Sequence, residues 1–307
     1  MASSSKKVIY AALIGNTLIA ITKFIAATLT GSSAMLSEGI HSVVDTGNQI
    51  LLLYGLHRAQ KPPDRRFPFG YGKEVYFWSF VVAILIFAVG AGVSIFEGIR
   101  HLSHPEPLKD FHINYIVLAL AMIFEGSALY FALVEFNKTK GKAGYFEAVH
   151  KGKDPSMFVV LFEDSAAMAG LVVAFIGILL GQLTGNPYFD GAASVVVGLI
   201  LAATAVWLAY ETKGLLIGES ADRGTVQAIR EFVQSHKEVR HVNEVLTLHM
   251  GPEYILVNLS VDFVDETTAP ELEQTINRLD RGIKEAYPEV KRVFVEAEAR
   301  RKPKPES

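Results

Sequence analysis

Six stretches of this chain are apolar for long enough to cross a bilayer, and that pattern leaves few architectures open. They run over residues 8–29, 35–56, 75–99, 113–136, 156–183 and 189–210. Half of the 307 residues are hydrophobic, and they cluster in these stretches instead of being spread along the chain. The expectation is an all-α transmembrane bundle of six helices over residues 1–217. Two lysines precede the first stretch, but that stretch is too long for the apolar core of a secretory signal, so it is read as a span. Without a transit peptide ahead of it, the simplest address is a bacterial inner membrane.

The basic residues choose the orientation. Lys6 and Lys7 precede the first span, five Lys/Arg from Arg58 to Lys73 separate the second and third, and five lysines from Lys138 to Lys153 separate the fourth and fifth. The alternate connections 30–34 and 181–188 have none. By the positive-inside rule both termini are cytoplasmic.

After Gly218 the pattern becomes that of a globular domain. Helical periodicity over 225–235 and 270–287, with strands over 239–249, 254–264 and 290–295, gives the order αββαβ for residues 218–298. That order suits a small antiparallel sheet covered on one face by two helices. Residues 299–307 read as a disordered tail. The segment from Glu219 onward is mildly acidic, and with a net charge of −3 for the whole chain nucleic-acid binding has no support.

Polar residues inside the apolar helices carry the chemistry. His41 and Asp45 lie four apart in the second stretch, on one helix face, and Asn48 follows seven after His41. Ionisable groups at membrane depth are costly, and they are read first as facing a cavity through which an ion or proton passes; a packing hydrogen bond between the two is the plainer alternative. The fifth stretch holds Glu163 and Asp164, which lie 100° apart but can border one interior cavity. Alternatively one of them neutralises a buried lysine such as Lys23. Glu97, Glu125 and Glu135 are assigned to snorkelling or helix pairing. With no cysteine in the chain, any metal must be held by His nitrogen and carboxylate oxygen, a set suited to zinc that also accepts manganese, iron or cobalt. No nucleotide loop or nucleophile motif appears, so no catalysis is expected, and no resident cofactor.

The His-x-x-x-Asp at His41 and Asp45, the acidic centre at Asp164, the run Phe69-Gly70-Tyr71-Gly72-Lys73-Glu74 and the αββαβ tail together resemble the cation diffusion facilitators. The strings SEGIHSVVDTGNQ and LFEDSAA resemble the branch that includes a mitochondrial zinc exporter. The resemblance implies a homodimer that exchanges cytoplasmic Zn2+ for protons by alternating access, with a ferredoxin-like cytoplasmic domain. It also exposes departures. Most zinc members carry a second His or Asp one turn before the position of Asp164, where this chain has Val160, so Glu163, Asn48 or a water is left as the fourth ligand. The loop before the third span offers only Asp64 beside Phe67 and Tyr71, and the tail positions that supply ligands elsewhere read Asn243, Asn258 and Val295. His241 and His249 are assigned to the sheet or surface, and the outer histidines His101, His104 and His112 to solvent. The extra carboxylate at Glu163 leaves a manganese or iron exporter open, and a non-transporting metal sensor or scaffold is the alternative class.

Overall fold

The computed structural model describes residues 2–105, 110–140, 144–145, 148–149 and 152–300, with side chains from Asn16 onward except that of Thr139. The principal elements in chain order are α1 (Ala2–Thr30), α2 (Ser33–Ala59), α3 (Glu74–Ser103), α4 (Phe111–Lys140), α5 (Pro155–Thr184), α6 (Tyr188–Ile217), α7 (Arg223–Gln234), β1 (Val239–Gly251), β2 (Tyr254–Phe263), α8 (Ala269–Ala286) and β3 (Val290–Ala297). The chain divides into two compact units, one of residues 1–57 with 75–213, the other of residues 58–74 with 214–307. Most of the tail expected to be disordered, residues 301–307, lies outside the described residues.

The first unit is helical and inverted relative to a soluble core. Ile21, Ile25, Ile123, Phe131, Leu199, Val206 and Tyr210 are half or more exposed, while Lys23, Glu38, His41, Asp45, Asn48, Glu125 and Glu163 are buried. An apolar exterior around a polar interior is what a bilayer selects. Among the described residues, Glu74–Ser103, Phe111–Lys138, Pro155–Thr184 and Tyr188–Ile217 are long and apolar enough to cross a membrane. Helix α2 does not qualify on composition, because its middle is taken up by Glu38, His41, Ser42, Asp45 and Asn48. The described side chains of α1, over Asn16–Thr30, form an apolar helix shorter than a span.

Local chemistry sets the helix ends. Pro155 occupies the first turn of α5, Asp154 accepts the Ser156 backbone N–H at 3.0 Å, and Gly185 ends the helix at φ 67°. Helix α3 has a π-helical turn over Ile86–Ala91. Just beyond it α3 meets α6 through glycines: a Cβ on Gly198 would sit 2.5 Å from the Ile95 side chain, and one on Gly98 2.8 Å from the Gly191 carbonyl. Small residues let these two backbones approach closely, as packing in lipid requires.

In the second unit β1 and β2 form an antiparallel hairpin with Val242 opposite Val261 and Val245 opposite Leu259. Contrary to the all-antiparallel expectation, β3 runs parallel to β2, pairing Val257 with Val293 and Leu259 with Val295. The reason is topological: α8 carries the chain back to the end where β2 began, as a crossover connection does. Strand β2 alternates so that Ile255, Val257, Leu259 and Val261 join one core with Ile229 and Val233 of α7 and Leu279 and Ile283 of α8. The 58–74 connection is ordered by Asp64, whose carboxylate accepts the backbone N–H groups of Arg66 and Phe67 and, at 2.6 Å, the Tyr71 hydroxyl. The Tyr71 hydroxyl, with those backbone N–H groups, holds the exposed Asp64 carboxyl below its ordinary range. Phe69 contacts the ring of Phe294 edge-on at 6.5 Å, against the strand face opposite that core.

Leu279 is fully buried, whereas Leu246 on the other face is 52% exposed. Leu279→Ala is expected to destabilise this unit by about 2–5 kcal/mol and Leu246→Ala by less than about 0.5 kcal/mol. Hydrogen exchange of the β2 amides in the full chain measures both; equal protection in the two variants would contradict the assigned core.

Candidate cation site

Helix α2 presents His41, Asp45 and Asn48 on one face, all buried, because spacings of four and three return to the same side of a helix. His41 Nε2 lies 3.1 Å from Asp45 Oδ2, but the pair is not aligned as a hydrogen bond. Both ring nitrogens, Asp45 Oδ1 and Asn48 Oδ1 are buried with no hydrogen-bond partner among the described residues. Buried polar atoms of this kind carry a desolvation cost that an ion or water at the spot would remove.

Helix α5 brings Glu163 to the same place. Asn48 Nδ2 donates to Glu163 Oε1 at 2.6 Å, bridging α2 and α5, and the carboxyl groups of Asp45 and Glu163 are within hydrogen-bonding reach of each other. Two carboxylates this close in a buried site need a positive charge between them, proton or metal. Asp164, one residue on, is only partly buried and makes no hydrogen bond or ion pair among the described residues. Val160, a turn earlier, adds no donor. Among the described residues no three His, Asp or Glu side chains converge closely enough to enclose an ion in this conformation. The structure thus joins His41, Asp45, Asn48 and Glu163 and leaves Asp164 at the margin.

Beside them lies a charge cluster only partly anticipated. Lys23 is completely buried and is answered not by Glu163 or Asp164 but by Glu38 Oε2 at 3.1 Å and Glu125 Oε1 at 3.8 Å; its ammonium also donates to Ser42 Oγ at 2.8 Å. Glu38 reaches this position because Gly170 of α5 has no side chain: a Cβ there would meet Glu38 Oε1. Glu125 therefore serves helix pairing rather than snorkelling, and Glu135, 61% exposed and 2.7 Å from Lys138, lies on the surface. Sequence reading passed over Glu38, although its spacing of four to Ser42 and three to His41 marks it as part of the same interior. It also passed over Asp190 in the first turn of α6, which accepts the Ser33 backbone N–H at 2.6 Å and the Ser32 and Ser33 hydroxyls at 2.5 and 2.8 Å, capping α2. His101 is not solvated as expected: its side chain is nine-tenths buried, 3.9 Å from Asp190, whereas His104 and His112 are exposed.

The tail positions carry no comparable grouping among the described residues. Asn243 donates to Ser260 Oγ at 3.2 Å and Asn258 to Glu296 at 3.4 Å, so both serve the sheet. His249 is buried within β1.

An apolar exterior, membrane-length helices and a polar interior shared by α1, α2, α4 and α5 define an integral, multi-pass membrane protein. The chain belongs to the cation efflux family, whose transmembrane domain matches residues 9–217, and that family consists of transporters, not enzymes. It is 37% identical over 259 residues to the mitochondrial proton-coupled zinc antiporter of Xenopus laevis, covering 84% of this chain and 46% of the relative. It is 30% identical to metal tolerance protein C4 of Arabidopsis thaliana, over 84% and 57% of the two chains. Its identity to the manganese efflux protein MneP of Bacillus subtilis is 22%, over 95% of each. The chain spans about half the length of the first two relatives.

Removing Lys23 leaves two buried carboxylates without their cation, so Lys23→Met is expected to destabilise the bundle by about 3–5 kcal/mol. Adding Glu38→Gln and Glu125→Gln should recover most of the loss. Thermal unfolding in detergent measures the series, and a single variant as stable as the parent would contradict the ion-pair assignment.

Proposed function

We propose that this protein is a proton-coupled exporter of divalent metal, with Zn2+ as its principal cargo, working by alternating access in a six-span bundle whose termini are cytoplasmic. The observation that carries the reading is the buried His41–Asp45 pair, unsatisfied in its hydrogen bonding and joined through Asn48 to Glu163 on the facing helix. His41 supplies one nitrogen, Asp45 one oxygen and α5 a carboxylate oxygen from Glu163 or Asp164, with Asn48 or a water to complete four-coordination. Asp164 enters this set when α5 turns slightly about its axis, which gives the two access states different donor sets.

Coupling follows from shared lone pairs. Zinc binding requires a neutral imidazole and ionised carboxylates, and protons compete for the same atoms. An ion that leaves toward the far side is replaced there by protons, and the loaded and protonated forms keep the buried charge balanced while the helices move. The zinc antiporter among the relatives supports this coupling. The reading assigns no resident cofactor, includes assembly as a homodimer, and sets the protein in an energised bilayer.

A manganese exporter is the second reading, favoured by one observation: Glu163 faces the pair and makes the donor set rich in oxygen. In proteoliposomes, His41→Ala and Asp45→Ala are each expected to abolish Zn2+-driven proton flux; undiminished flux in both would remove the site, and bound Zn2+ without flux in the parent would favour a sensor over a transporter. In a competition series of Zn2+, Mn2+, Fe2+ and Co2+, Zn2+ should be preferred, and Glu163→Gln should raise that preference over Mn2+. Mn2+ preferred by the parent would decide for the second reading.

A further inference from the structure

The end of the bundle where α1 stops and α2 begins holds a cavity of about 490 Å3 that takes no part in the site above. One wall is Ser32 and Ser33 with the adjoining turn of α1; the other is the last stretch of α3, with Glu97, Arg100, His101 and His104. Ser33 precedes His41 by eight residues, about 12 Å of helix rise, so the cavity is separate from the His41–Asp45 pair. On the proposed orientation it is the outer mouth.

Three features of this cavity bear on what it would hold. Glu97, His101 and His104 recur at spacings of four and three, which brings one carboxylate and two imidazoles to the same side of α3 and its C-terminal end. His101 is nine-tenths buried, yet its Nε2 has no hydrogen-bond partner among the described residues, a costly state for a ring nitrogen. Behind it lies Asp190, fully buried, its oxygens already committed to the start of α2 and 3.9 Å from that nitrogen. A buried carboxylate at this distance makes the cavity wall favourable for a positive charge. The competing cation is Arg100, 3.3 Å from Glu97 but with a side chain 68% exposed, and exposed pairs of this kind hold with less than about 1 kcal/mol.

We propose that this vestibule is a second divalent-cation site, in which His101 and His104 supply imidazole nitrogens and Glu97 a carboxylate oxygen to a zinc-type ion, with water completing the coordination. The three donors do not converge before loading, and Glu97 must leave Arg100 to bind. The site is therefore weak and exchangeable, which suits a station where cargo waits before release and not one that retains it. The binding claim stands apart from transport; only the role as an exit station rests on the proposed function.

Equilibrium binding of Zn2+ alone to the purified full chain in detergent tests it. In a His41→Ala/Asp45→Ala background, which disables the central site, one Zn2+ per chain should remain. Adding His101→Gln with His104→Ala should remove that ion, Glu97→Gln should weaken it, and His241→Ala with His249→Ala in the tail should leave it. If His101→Gln disturbs folding, His104→Ala alone carries the test, since His104 is exposed and beyond the end of α3. No residual Zn2+, or residual Zn2+ that survives the vestibule variants or disappears with the tail variants, would overturn the proposal. Absence of Zn2+-driven proton flux in the parent would instead count against the proposed function and leave this binding result standing.

Discussion

A lysine buried in an apolar bundle has to be answered by carboxylates, and the disposition of α1, α2 and α4 around Lys23 meets that requirement. Glu38 and Glu125 come from two different helices to the same ammonium, and Ser42 takes a third contact. Because Glu38 and Ser42 flank His41 on α2, the ion pair also fixes the rotation of the helix that carries the candidate site. The same rotation directs Asn48 at Glu163, so α5 is brought in by a hydrogen bond as well as by apolar packing.

Seen from that cluster, two kinds of buried polarity coexist in the first unit. Around Lys23 one ammonium is shared by two carboxylates, a charge network that ties three helices together, with Glu38 Oε1 left without a hydrogen-bond partner among the described residues. Around His41, Asp45 and Glu163 the donors and acceptors are mismatched: ring nitrogens without partners among the described residues and carboxylates facing each other. The ion pairs of the first hold the fold together, whereas the second leaves lone pairs that a proton or a cation can share. The vestibule at the end of α1 has the same signature on a smaller scale, a buried imidazole nitrogen without a partner among the described residues, next to a carboxylate whose bonds are spent on capping α2.

Much of this was legible in the residues. The long apolar segments fall within α1 to α6, the αββαβ order recurs in α7 to β3, and His41, Asp45 and Glu163 were singled out by being ionisable in apolar surroundings. What escaped depends on neighbours that periodicity does not name. Lys23 has several acids within reach of its helix, and which of them answers it is decided by how three helices rotate together. Asp190 reads as an ordinary first-turn acid until α6 is set against α2. The direction of β3 follows from the return path of α8, which the strand pattern alone does not record. Asp164, conspicuous in the sequence, stands at the margin because residues one apart on a helix cannot face the same partner.

The central claim is that a divalent ion is held between α2 and α5 by the His41 imidazole and the Asp45 carboxylate. The most direct measurement is a zinc-edge anomalous difference map from crystals of the Zn2+-loaded full chain. The account predicts a peak about 2.0–2.2 Å from a ring nitrogen of His41 and an oxygen of Asp45, with an α5 carboxylate completing the set. Zinc bound elsewhere in the bundle, with His41 and Asp45 both outside its coordination, would contradict it.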